Sequence, residues 1–285
     1  MKIKNYSSKP LLSLFYLYAA LNYNGYDKEN NKTGMHPFRK KVRDYLQNQS
    51  LPKFDFCYHT YQYTKQILTT KNLNPSYQTN TDFIPAIKYI QEFTKKVNLS
   101  AIKKDFLQST KKAIKPYQDV LPDIIKIAEK FFKFQPKINE LIFTVNLLES
   151  YCRGYSIRID KTGYIITGPS DHPNIRNLLH ELIHFYVKDT DIHKIPQSII
   201  KKIPKDMINN YGDNLLSESL VRALVIYLSQ KNNIIPKQEF NPNDISMIYP
   251  QKFLNLLNKK AVDHLTKNQI KNLFIEAIAS KNHKI

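Results

Sequence analysis

The sequence predicts an α+β protein that is mostly α-helix, with one small antiparallel or mixed sheet near its middle. Apolar residues recur at helical spacing from Asp82 to Phe134 and again beyond Leu215. Between these stretches the chain is β-rich, with alternation in Ser156-Ile-Arg-Ile-Asp160 and a turn signal at Asp160-Lys-Thr-Gly163. A hydrophobic content of 42% over 285 residues is enough to bury a sizeable core, which excludes an intrinsically disordered chain. The expected organisation is a helical N-terminal region over 1–136, a core segment over 137–230 and C-terminal helices over 231–285, together one compact unit.

In chain order, Lys2, Lys4 and Lys9 precede the apolar run Leu11–Leu21. No small-x-small cleavage site follows, so a first core helix is preferred over a signal peptide or anchor. His36-Pro37 opens a helix through about Leu46, with Pro in the first turn, and another helix is expected around Phe54–Leu68. Asp82 begins a helix that carries Ile84, Ile87, Ile90 and Phe93. Ser100 caps the next, with Ile102, Phe106 and Ile114, and Pro122 starts a separate helix over Asp123–Phe134. The sheet is expected to stay within about 138–168. The run Gly168-Pro-Ser-Asp-His-Pro173 then leads into a helix from Asn174 to Val187. Glu218–Leu228 is apolar nearly all round and reads as a central helix. An Asn/Pro-rich loop through Asn243 leads to C-terminal helices that include Lys267–Ala279.

The helix after Pro173 contains His180-Glu-Leu-Ile-His184, the H-E-x-x-H pattern of zinc hydrolases. Residues four apart lie on one helix face, so both imidazoles can reach one cation. Glu181 lies beside the first of them, where it can serve as general base without ligating. Leu178, Leu179, Leu182, Ile183, Phe185 and Tyr186 put no charge among the surrounding positions, as a helix buried around a metal requires.

Catalytic zinc normally takes three protein ligands. Three glutamates follow the motif: Glu218, Glu239 and Glu276. Glu239 sits in the Asn/Pro-rich loop, and apolar neighbours explain the helix of Glu276. Glu218 stands on the apolar helix, where a carboxylate needs a partner, and it is the preferred third ligand. His193 competes for the role, with Asp189 and Asp191 nearby. His172 reads as a loop residue.

H-E-L-I-H followed by a Glu on a second helix resembles the gluzincin branch of the zincin metallopeptidases. Leu141–Leu148, Gly154-Tyr-Ser-Ile and Gly163–Pro169 before the metal helix resemble the strand order of that fold. With Ala20–Asp27 and Met35-His-Pro-Phe-Arg39, the chain is similar to a family of uncharacterised bacterial proteins predicted to be gluzincin peptidases. The resemblance implies a zincin-like core over 137–230 holding one Zn2+ on His180, His184 and Glu218, with Glu181 as base and a peptide or protein as substrate. It also implies that Tyr164, Ile165, Ile166, Thr167 and Gly168 form an edge strand that pairs with the substrate backbone. The thermolysin-like pattern has an Asp four residues after the third ligand, and here that position is Arg222. Arg222, Tyr211 and Tyr249 are the candidates for supporting the site or stabilising an oxyanion.

Net charge is +19, but the lysines are scattered in pairs such as Lys95-Lys96 and Lys201-Lys202 rather than gathered in a block. A nucleic-acid partner is therefore an alternative and not the preferred reading. It would make the chain a basic H-E-x-x-H protein associated with DNA, either a protease or a binding module. A catalytically inactive zincin scaffold is a further alternative, against which the intact Glu181 argues. Cys57 and Cys152 form no C-x-x-C pair and no disulfide framework, which favours a reducing, cytoplasmic setting. No segment reads as a stable membrane span.

Overall fold

The computed structural model of the chain describes residues 2–6, 37, 99–147, 154–190, 197–203, 205, 215–234 and 248–279. The helices expected before residue 99, both cysteines, Tyr211, Glu239, Asp191 and His193 lie outside the described residues. The described strands are β1 (Lys2–Tyr6), β2 (Glu140–Val145), β3 (Gly154–Ile159) and β4 (Thr162–Thr167). The helices are α1 (Leu99–Phe131), α2 (Ile175–Lys188), α3 (Gln197–Ile200), α4 (Leu215–Lys231), α5 (Ile248–Lys259) and α6 (Lys267–Ala279). The class is α+β and mostly α, as the spacing predicted.

The chain divides into two compact units. One comprises Lys2–Asp119 and Asn139–Asn174, the other Met1, Val120–Ile138 and Ile175–Ile285. Both draw on separated stretches and so run across the three consecutive segments expected above.

The first unit holds the sheet, with strand order β1-β2-β4-β3. Alternation in β2 sends Leu141, Phe143 and Val145 to the core. The β3–β4 hairpin pairs Ile159 with Thr162, and Asp160 at its turn takes a left-handed conformation (φ 51°), which Asp tolerates better than most residues. Two expectations are corrected here. The sheet is not confined to 138–168, because β1 pairs in parallel with β2, with an irregularity between Ile3 and Asn5. Lys-Ile-Lys-Asn-Tyr is too short and polar to announce a strand by itself. Nor are Tyr164–Gly168 an edge. β4 runs between β2 and β3, parallel to one and antiparallel to the other, so its backbone groups are engaged on both sides. Consecutive Ile165 and Ile166 are both fully buried, the mark of an inner strand without a solvent face.

Helix α1 contributes its first part to this unit. Tyr117 packs on Phe143 with ring centroids 4.8 Å apart. Its hydroxyl hydrogen-bonds Ser170 Oγ at 3.0 Å and accepts the Asn174 N–H at 3.0 Å. The two helices expected over 100–134 are one continuous helix that ends three residues early. Pro116 and Pro122 each remove one i→i−4 hydrogen bond. Burial of Tyr117, Leu121, Ile124, Ile125 and Ala128 outweighs that loss, at about 1.5–3 kcal/mol for each large apolar side chain. Past Phe131 the chain leaves the helix because Lys133 N–H donates to Leu265 O (2.9 Å) and Leu265 N–H donates to Phe131 O (2.8 Å).

The second unit is helical. α4 packs against α2 and α5, and α5 against α6. α4 is buried around nearly all its circumference, from Ser219 through Val221 and from Ala223 to Ser229. The far end of α2 is pinned by Tyr186, which stacks on Phe132 (4.3 Å) and meets Phe134 edge-on. Asp189 accepts the Lys137 N–H just beyond it. No described helix is long and apolar enough to cross a membrane.

Candidate metal centre

Helix α2 buries Leu178, Leu179, Leu182, Ile183 and Phe185, which leaves His180 and His184 on the one face that retains access to solvent. Their side chains are 21% and 19% exposed. Glu181 is buried at 4%, one residue along from the first imidazole. Glu218 stands in the first turn of α4, where the positive end of the helix favours a carboxylate. Its side chain is 34% exposed, so the helix is central but the carboxylate looks out.

The three side chains converge. His180 Nε2 lies 3.1 Å from His184 Nε2 and 3.2 Å from Glu218 Oε1, and His184 Nε2 lies 3.3 Å from Glu218 Oε2. Among the described residues no other group of His, Cys, Asp or Glu side chains meets so closely. A tetrahedral zinc with bonds of about 2.0–2.1 Å separates its ligand atoms by about 3.3–3.4 Å, close to these three distances, with each imidazole facing a different oxygen of the carboxylate. Two imidazole nitrogens and one carboxylate oxygen suit zinc chemically, and the cluster fits one ion with a coordination position left over.

Burial alone would raise the Glu218 carboxyl. Hydrogen bonds from His180 and His184, and their charge, overcome that effect and hold it well below the usual carboxylate range. Arg222, one turn later on α4, donates from Nε to Glu218 Oε1 at 3.1 Å.

No protein-family model matches this chain, and neither a curated protein nor a solved structure does. Its own geometry therefore carries the reading.

Of the residues singled out in the sequence, His180, His184, Glu218 and Arg222 are brought together. Tyr249 is not hydrogen-bonded to the cluster. It is buried on α5 beneath Lys252 Nζ, which lies 5.3 Å from its ring centroid, and burial pushes its phenol up. His172 is exposed in the loop before α2, and its carbonyl accepts from Ser170 Oγ (2.6 Å). Glu276 pairs with Lys260 (2.7 Å). One residue escaped the sequence reading. Arg176 precedes His180 by one turn on the metal helix and feels the charge of Arg222. No local pattern pointed to it.

Proposed function

We propose that the chain is a zinc-dependent peptidase of the gluzincin type that hydrolyses peptide bonds. The observation that carries this reading is the convergence of His180 Nε2, His184 Nε2 and the Glu218 carboxylate on one point. Those three residues would hold the ion. Zinc supplies Lewis acidity and brings the pKa of a coordinated water to about 7, which provides a nucleophile at neutral pH.

The remaining work falls to the protein. Glu181 accepts the proton of the attacking water at its carboxylate and passes it to the departing amine nitrogen. Withdrawn from bulk water, it is also kept from trading that proton with solvent. Arg222 fixes the rotamer of Glu218 through its Nε–H, the orienting role that outer hydrogen bonds play for metal ligands. In the thermolysin-like pattern the residue at this position steadies a histidine, and here it steadies the carboxylate ligand itself. Glu218 is the most exposed of the three side chains, so a substrate carbonyl would approach from its side.

Zinc titration followed by a peptide-library digestion tests the reading. The expected result is one ion per chain, lost in Glu218→Ala, and cleavage that disappears with the ion. A chain that binds zinc equally well with and without Glu218 would refute it.

A further inference from the structure

We propose that Arg176 and Arg222 form a two-guanidinium clamp beside His180, His184 and Glu218 that holds a substrate carboxylate just past the scissile bond. This inference rests on the metallopeptidase reading and adds a substrate class to it.

The placement comes from two helices. Arg176 lies one turn before His180 on α2, and Arg222 one turn after Glu218 on α4, the helix packed against it. Arg222 uses Nε for Glu218, and among the described residues this is its only hydrogen bond or ion pair. Its terminal nitrogens are left for another acceptor, on a side chain 36% exposed. Arg176 is exposed and has no acidic partner among the described residues. Each thus stands one turn from a member of the cluster whose polar atoms meet at 3.1–3.3 Å. Partial loss of water around Arg176, and then the charge of Arg222, lower its pKa from the ordinary arginine value.

Like charges placed together without a counter-ion are unfavourable, and a bound anion relieves them. Glu218 meets Arg222 only at Nε and is shared with both imidazoles, and Arg176 has no acidic partner among the described residues, so positive charge is left unmatched. With a dication in the site, the metal, Glu181, Glu218, Arg176 and Arg222 leave a net positive charge, which favours anionic substrates over neutral ones. Two guanidinium forks match the two oxygens of a carboxylate better than any neutral group. In a peptide whose scissile carbonyl faces the metal, a C-terminal carboxylate on the next residue lies two bonds beyond the scissile nitrogen. An Asp or Glu side chain at that residue presents the same group from slightly further away.

The test uses zinc-loaded full-length protein and a leucine-based hydroxamate, which anchors on the metal. It is made with a free terminal carboxylate, as its carboxamide, and as the Glu-amide and Gln-amide in which those side chains replace that of leucine. Calorimetric affinities should favour one of the acids over its neutral partner by at least about tenfold in the wild type. A preference for the terminal acid marks release of C-terminal residues, and a preference for Glu-amide marks cleavage before acidic residues. Either supports the clamp. In Arg176→Gln the preference should collapse while zinc stoichiometry holds, and Arg176→Lys should restore it in part. Equal affinities of acid and neutral compounds, with the hydroxamate still bound, would overturn the clamp and leave the metal site standing. Failure of every hydroxamate to bind would overturn the metallopeptidase reading and the clamp with it.

Discussion

Glu181 and Glu218 are two carboxylates with opposite assignments, and their surroundings separate them. Glu218 meets both imidazoles and an arginine, so it stays ionised and suits a ligand. Glu181 is deeply buried and one residue removed from the converging atoms, so it suits a proton carrier. Glu181→Gln keeps shape but cannot take a proton. Hydrolysis should fall below detection while zinc content, measured by elemental analysis, stays at the wild-type value. Acid should weaken the metal. Zinc needs both imidazoles neutral, so protons compete with it for the two nitrogens. Affinity should therefore fall as the solution is acidified, with up to two protons taken up per ion released. Competition with a chromogenic chelator across pH measures the slope, and a flat profile would remove the histidines from the ligand set. At this scale the sequence was informative, because H-E-x-x-H states its own geometry once it lies on a helix. Arg176 was not legible. Its role depends on where α4 brings Arg222, and no local pattern encodes that.

The elements differ in how openly the sequence declares them. α6 begins where it was expected, and a capping box explains why. Thr266 Oγ1 accepts the Gln269 N–H, and the Gln269 side chain returns to the Thr266 N–H at 2.8 Å. Thr266→Ala should cost about 1 kcal/mol and lower the melting temperature by about 2–4 °C, read by calorimetry. The strands were legible as strands but not in their order. Alternation and turn residues mark β3 and β4, whereas lateral position follows from pairing with β2, which is remote in sequence. The run Tyr-Ile-Ile-Thr at 164–167 did hold a clue, since two adjacent buried isoleucines suit an inner strand better than an edge. Ile165→Ala should cost about 2–5 kcal/mol, as a fully enclosed site predicts. A loss below about 1 kcal/mol in urea denaturation would mean that β4 has room to relax, as an edge strand does. α1 misled in the other direction. Its Pro122 read as the start of a separate helix, and only the buried ridge from Tyr117 to Ala128 makes one helix of the stretch.

For the whole molecule, the proposed zinc site would link the ion to folding. The proposed ligands come from α2 and α4, and the unfolded chain does not hold them together, so an ion there would bind the native state preferentially. At a free zinc concentration one hundred times Kd, stability should rise by about 2.7 kcal/mol. A chelator should reverse the gain, and Glu218→Ala should show almost none of it in a thermal melt. The two units have a separate consequence. Each is assembled from two stretches, 2–119 with 139–174 and 120–138 with 175–285, so a break after Ile138 divides both at once. Neither piece then carries a whole hydrophobic interior. Fragments 1–138 and 139–285 should be insoluble when made singly and should complement each other when made together. A ribosome part-way through synthesis faces the same arrangement, because the helical unit lacks most of its packing partners until α4, α5 and α6 have emerged.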